Sequence, residues 1–201
     1  MKRLLLLALL IMSGSGWLIS CKTDRSKAAD TSPAAIAEVK AQLDVLRDSA
    51  DVKWQQMMTS DDQKVGTTRL LLQDLAQQRG VNAAQLAALT RANARLKSLR
   101  YDRATMAESA RIDRYDAAQD SLLHALYPVA APNEQAPTAQ IRNFTEGIQQ
   151  ADAAVVGYRV GYDHAAKTYN TYLKLHQVEF NTLGGKYADL KPLPMFTLGA
   201  Q

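Results

Sequence analysis

The sequence has a single cysteine, ten glycines and six prolines in 201 residues, and only 6% of it is aromatic. One thiol excludes a disulfide framework and any cysteine-rich zinc or iron-sulfur site. Few aromatic and β-branched residues, with Ala, Leu, Gln, Asp and Arg crowding the long middle of the chain, disfavour β-rich folds. There is no Glu-x-x-His pair of the kind a di-iron helical bundle projects inward. Nor is there a hydrolase elbow, a phosphate loop or a paired-glycine fingerprint, and no internal repeat or low-complexity segment interrupts the pattern. What remains, 47% hydrophobic and 22% charged, is ordinary globular material that reads as all-α. The expectation is a protein without catalytic activity, metal or cofactor.

The N-terminus points out of the cytoplasm. Met1-Lys2-Arg3 gives a short positive region, and residues 4–12 form an apolar run too short to span a bilayer as a mature helix. The run leads to Leu18-Ile19-Ser20-Cys21, which resembles the bacterial lipobox: branched residues, a small residue, then the cysteine to be lipidated. That resemblance implies that residues 1–20 are a signal peptide, that Cys21 receives a diacylglycerol, and that its new amino group is acylated, palmitate being the usual chain. Each buried CH₂ contributes about 0.8 kcal/mol, so two or three chains anchor firmly. The competing reading is an ordinary secretory signal with an incidental cysteine, and neither leaves a cytoplasmic function. Cleavage removes Lys2 and Arg3 and lowers the formal charge from +4 to +2. Nucleic-acid binding then lacks both the charge and the compartment. Residues 21–32 read as the lipidated cysteine and a polar tether. Lys22, where an aspartate would favour retention, points to the outer membrane in an enteric-like Gram-negative host.

Residues 33–201 form the body. Ser32-Pro33 is a natural helix start, with a hydroxyl for capping and a proline suited to the first helical position. Ile36, Val39, Leu43, Leu46 and Ala50 follow at alternating spacings of three and four, continue through Trp54, Met57 and Met58, and resume at Val65, Thr68, Leu72 and Leu75. One helix to about Arg79 is predicted, stopped by Gly80-Val81-Asn82, with Asn82 capping the next. A second stretch carries Leu86, Leu89, Leu96 and Leu99, then Ile112, Tyr115, Leu122 and Leu126, with room for a break near residues 100–109 and an end at Tyr127-Pro128. The third runs from Ile141 through Phe144, Ile148, Ala151, Val155, Tyr158, Tyr162, Ala165 and Tyr169 to Tyr172, and extends loosely to Gly184-Gly185. The architecture expected is an elongated antiparallel up-and-down bundle of three to four long helices. With two tight connections, the turn at Gly80 would lie far from the membrane and the loop around Pro132 would return towards it.

Several of these residues resemble the LemA family of bacterial envelope proteins. The likeness lies in a long helix with a tryptophan, residues 43–54, in Leu122-Leu123 leading to Ala125-Leu126-Tyr127-Pro128, and most of all in residues 144–196. There Tyr162-Asp163 and Tyr169-Asn170 stand at the family's paired Tyr-Asn positions, and Lys191-Pro192-Leu193-Pro194-Met195-Phe196 looks like its closing tail. Departures are Asp163 in place of asparagine, His176-Gln177 where the family often has Phe-Pro, and Cys21, since the family more often keeps its N-terminal segment as a membrane helix. The resemblance implies a four-helix antiparallel bundle and no established enzymatic activity.

Three features are candidates for recognition. Residues 91–114 hold seven cations against Asp102, Glu108 and Asp113, net +4, and make Arg95, Arg100, Arg103, Arg111 and Arg114 a candidate face for anionic lipid, another envelope ligand or an acidic partner. The alternative is internal: a hairpin turning near residue 81 sets Asp61-Asp62 opposite the Arg100 and Arg103 region, where paired charges would fix register. Tyr158, Tyr162, Tyr169 and Tyr172 make either an aromatic groove or core, and core is preferred. The tail from Pro192 to Phe196 cannot continue a helix, so it either packs along the bundle or stays free as a docking peptide. His124 with Asp116 and Asp120 forms a helical face that could hold a metal, though an exposed surface is the preferred reading. The partners expected are the membrane through the lipid anchor and an unidentified envelope protein, with self-association through the long seams as a further option.

Overall fold

The computed structural model describes residues 32–132 and 136–196, so Cys21 and most of the tether lie outside the described residues. Within them the chain is all-α, with no strand: α1 is Pro33–Leu75, α2 Ala83–Leu99, α3 Ser109–Ala130, α4 Ala139–Leu175 and α5 Gln177–Leu183, followed by a 3₁₀ turn at Gly185–Tyr187. The starts follow local chemistry. Ser32 Oγ accepts from the Ala35 amide, Asn82 Oδ1 from Gln85 and Thr138 Oγ1 from Ile141, each satisfying a donor that has no partner within its helix. Gly80 leaves the first helix at φ 85°, a conformation that costs a residue with a Cβ.

Paired residues give the directions. Lys64 meets Asp152 and Tyr172 meets Val39, so α1 and α4 run antiparallel in the largest helix contact of the structure. Asn93 meets Val65 across α1 and α2, again antiparallel, while Asp61 with Tyr115 and Lys64 with Gln119 set α3 parallel to α1. The 43 residues of α1 span about 65 Å at 1.5 Å each.

Along their far halves α1 and α4 enclose α2 and α3 over a core that includes Leu71, Leu75, Leu96, Leu122, Leu126 and Ile148. Along the near halves a smaller core of Val39, Leu43, Tyr169 and Phe180 is closed by Leu183, Tyr187, Leu190 and Leu193 from α5 and the tail.

Four details differ from the sequence reading. The first helix ends at Leu75 rather than near Arg79, where the amides of Ala76, Gln77 and Gln78 close as turns on the last carbonyls. The α3 helix passes through Pro128 to the buried Ala130, since a proline in a last turn gives up one hydrogen bond without blocking the helix already formed. The third stretch breaks at His176, so Leu175 and Val178 leave the seam for solvent. The largest correction concerns the second stretch, which does not run back along the whole of α1. It reverses at residues 100–108, and the Pro132 loop therefore sits beside the Gly80 turn, where Gly80, Asn82, Pro128, Pro132 and Pro137 line one cavity. The reversal uses no glycine or proline. Asp102 Oδ1 accepts from the Thr105 amide at 2.8 Å, three residues on as at a helix N-cap, and the loop drives Tyr101 and Met106 into the core.

Met106 is fully buried although it belongs to no helix, so Met106→Ala is expected to destabilise the fold by about 2–5 kcal/mol in denaturant titration. Leu175→Ala, at a side chain 72% exposed, should stay within about 0.5 kcal/mol. Equal effects from the two would show that the loop does not pack as described.

Candidate interaction site

The five candidate arginines of the basic run do not form one face. Arg100 Nη1 donates to Asp61 at 2.9 Å and to Asp62 at 2.7 Å, the pairing that the hairpin register anticipates. Arg103 binds Asp51 rather than either of these, because it lies in the reversal loop and no longer follows α2. Its guanidinium stacks 5.3 Å from the Trp54 ring and 5.8 Å from Tyr162. Arg111, in the first turn of α3, turns back on the N-cap residue Glu108 at 2.6 Å. Arg95 and Arg114 are exposed and make no ion pair with a described residue. Two of the five candidates are thus spent inside the bundle.

Inside, Asp61 gathers three donors. Besides Arg100 it accepts from Tyr115 Oη at 2.5 Å and from Gln119 Nε2 at 2.8 Å. Gln119 in turn accepts from Lys64, a buried cation that also donates to Asp152 at 2.9 Å. Burial and the bond to Asp61 push the Tyr115 phenol above its ordinary value, so it remains a donor. Beside this cluster, Asp116 takes a bidentate pair from Arg159, at 2.7 and 2.8 Å. The Arg159 guanidinium lies 5.8 Å from the Tyr101 ring and 5.3 Å from Phe196. Asp116 is therefore committed to an arginine, while Asp120 and His124 are exposed. No group of three or more metal-ligating side chains occurs among the described residues.

The tyrosine stripe is core. Tyr162 and Tyr169 are fully buried and Tyr158 and Tyr172 half-buried, and burial pushes the Tyr162 hydroxyl up to about 12 with Arg103 opposing the shift. Tyr162 is also the first of three α4 side chains that hold the tail. Its hydroxyl donates to the Pro194 carbonyl at 2.9 Å. Asn170 takes both main-chain groups of Leu193, donating to its carbonyl at 2.8 Å and accepting from its amide at 2.7 Å. Asp163 accepts from the Phe196 amide at 2.9 Å. The Phe196 ring then stands edge-on to Tyr101 at 5.7 Å and to Tyr162 at 6.1 Å. The tail packs; it is not free.

Sequence reasoning missed Lys64, Gln119 and Arg159. Lys64 and Gln119 lie on core-facing positions of amphipathic helices, and a polar residue interrupting an apolar stripe is the one signal that could have found them. No family model matches this chain, and neither a curated protein nor a solved structure does.

Two tests follow from this geometry. In a double-mutant cycle Arg100→Ala and Asp61→Ala should couple by about 1–3 kcal/mol. Replacing Asp61 with the more exposed Asp62 should give about 0.2–1 kcal/mol, and additive Arg100 and Asp61 effects would overturn the pairing. The second concerns Asp163, which desolvation holds above the ordinary carboxylate value although the Phe196 amide opposes it. A carboxyl raised in the folded state favours folding in its protonated form, so its ionisation works against tail docking as pH rises through the raised value. Asp163→Asn keeps the acceptor for Phe196 without a charge to desolvate. It should raise Tm at neutral pH and reduce the dependence on pH above the ordinary carboxylate value relative to the wild type. A lower Tm at neutral pH would show that the charge strengthens the bond more than burial weakens it.

Proposed function

We propose that this chain is a lipid-anchored protein of the bacterial envelope, a LemA-like bundle of up-and-down helices whose role is to bind and position a partner protein without turnover. The observation that carries the reading is the pairing of α1 with α4, 43 and 37 residues long, into a continuous two-helix spine. A spine of that length on a short tether holds its far end tens of ångströms from the attachment point. Support comes also from Cys21, the only cysteine, placed directly after the apolar run and its small residue. The resemblance to the LemA family gains a physical rationale: the positions matching its paired residues, Tyr162-Asp163 and Asn170, are those that bind the matching tail. Among the described residues no helix is long and apolar enough to cross a membrane, so attachment in this reading rests on the lipid.

The test compares the wild type with Cys21→Ser in cells, by palmitate labelling, membrane fractionation and crosslinking with mass spectrometry. The wild type should take up the label, sediment with membranes and crosslink to a specific envelope protein, and the variant should lose all three while keeping its helical spectrum. Label and membrane association retained by Cys21→Ser would overturn the anchor. Crosslinks to lipid or to itself alone would overturn the partner-binding role.

A further inference from the structure

The tail is held by side chains of α4. From Asp189 to Phe196 no main-chain group bonds to another main-chain group among the described residues. Every hydrogen bond fixing this backbone comes from α4, through Tyr162, Asp163 and Asn170. Asn170 supplies a donor and an acceptor to one residue, as a neighbouring β-strand would, and so reads an extended backbone whatever the side chain. Selectivity comes from two side chains. Leu193 enters the junction of the two apolar cores, and Phe196 lies against Tyr101 and Tyr162 under the Arg159 guanidinium. Met195, between them, faces solvent at 37% exposure. A groove that binds backbone at fixed points and takes an apolar residue and an aromatic one three positions later has the anatomy of a peptide-recognition site, here filled from within the chain.

We propose that this α4 groove also accepts the 193–196 segment of a second copy of the chain, so that two copies are linked by exchange of their tails. A second copy carries the segment whose fit is shown, and exchange reproduces each contact of residues 193–196, while an extended linker gives up the packing of Tyr187 and Leu190 on the near core. The chain before the tail permits it. Gly184 and Gly185 both have positive φ, 65° and 54°, and form a pivot at which no Cβ resists rotation. The eight residues from Gly185 to Leu193 reach about 28 Å when extended, enough to pass from one bundle to its neighbour. Attachment in cis gives the chain's own tail an effective concentration of order 1 mM, so the closed monomer prevails in dilute solution and exchange grows as copies are concentrated or the internal contact is weakened. The inference requires neither the lipid anchor nor the family resemblance.

Complementation between two full-length variants tests it. Asp163→Ala with Asn170→Ala disables the groove and keeps the tail; Leu193→Ala with Phe196→Ala disables the tail and keeps the groove. Each alone should sediment as a monomer at concentrations of order 100 µM, and an equimolar mixture should contain a one-to-one dimer. The absence of that dimer, with both variants retaining helicity and cooperative melting, would overturn the proposal. Should either variant fail to fold, a photoreactive residue at Met195 in the otherwise native chain decides. In a mixture of isotopically light and heavy copies, crosslinks from position 195 of one isotope to α4 of the other support exchange, and crosslinks confined to single copies refute it.

Discussion

The bundle turns on one half-buried carboxylate, Asp61. Asp61 sits about two thirds of the way along α1 and accepts hydrogen bonds from the end of α2 through Arg100 and from α3 through Tyr115 and Gln119. Gln119 and Lys64 extend the cluster to Asp152 on α4, so four helices meet in a single set of donors and acceptors. Burying such groups costs several kcal/mol per ion before any pairing is counted, and apolar residues of the same shape could stabilise the fold as well or better. What the cluster supplies is register. An amphipathic helix with a smooth apolar stripe can slide by a heptad against its neighbour at little cost, whereas Asp61 has only one position from which it reaches all three partners. Displacement would leave at least one charge unpaired in a poorly solvated interior, which costs about 3–5 kcal/mol.

The same cluster explains why the chain reverses where it does. Arg100 is the last residue of the α2 path, its backbone already extended at ψ 136°, and its side chain is tied back to Asp61. Directly after it Tyr101 enters the core against Trp54 and Tyr115, and Asp102 caps the turn that follows. The short α2 leaves half of α1 and α4 without a covering helix. The 3₁₀ turn and the tail fill that space: Tyr187, Leu190 and Leu193 pack on Val39, Leu43 and Phe180, and Phe196 closes on the Tyr101 of the reversal loop. Bundle and tail are thus complementary consequences of one break in a helix.

How much of this is legible in the sequence depends on whether a residue acts through periodicity or through its partners. All ten seam positions from Ile141 to Tyr172 are buried or half-buried, and the caps at Ser32 and Asn82 stand where hydroxyl and amide side chains precede apolar runs. Those are local or periodic facts, and a single helix states them. The Arg100 pairing with Asp61 and Asp62 was also accessible, because an antiparallel hairpin assigns each residue a facing number. Arg103 was not, since the register argument stops where the helix stops: the polar interval leaves room for a break near residues 100–109, but only tertiary contacts show that the chain reverses there. That one break also moved the Pro132 loop to the opposite end of the bundle. The charge run misled for a related reason. Net charge along a segment counts only that segment, while Asp51, Asp61 and Asp62, which neutralise Arg100 and Arg103, lie about forty to fifty positions earlier.

The arrangement of charge also bears on what kind of surface is left for recognition. Cations that face inward are stacked as well as paired: Arg103 lies between Trp54 and Tyr162, and Arg159 between Tyr101 and Phe196. A guanidinium can be buried this way because it is planar, weakly hydrated and able to satisfy a carboxylate in its own plane while its faces meet rings. Lys64, the one buried lysine among the described residues, instead sits among carboxylate and amide oxygens with no ring over it. The arginines at the reversal are therefore structural cement between the helices and the tail. Because Arg159 touches both Asp116 on α3 and Phe196 in the tail, docking of the tail and packing of α3 on α4 share one side chain. Whatever displaces the tail must also loosen that corner of the bundle, which couples an event at the C-terminus to the junction where all four helices are held in register.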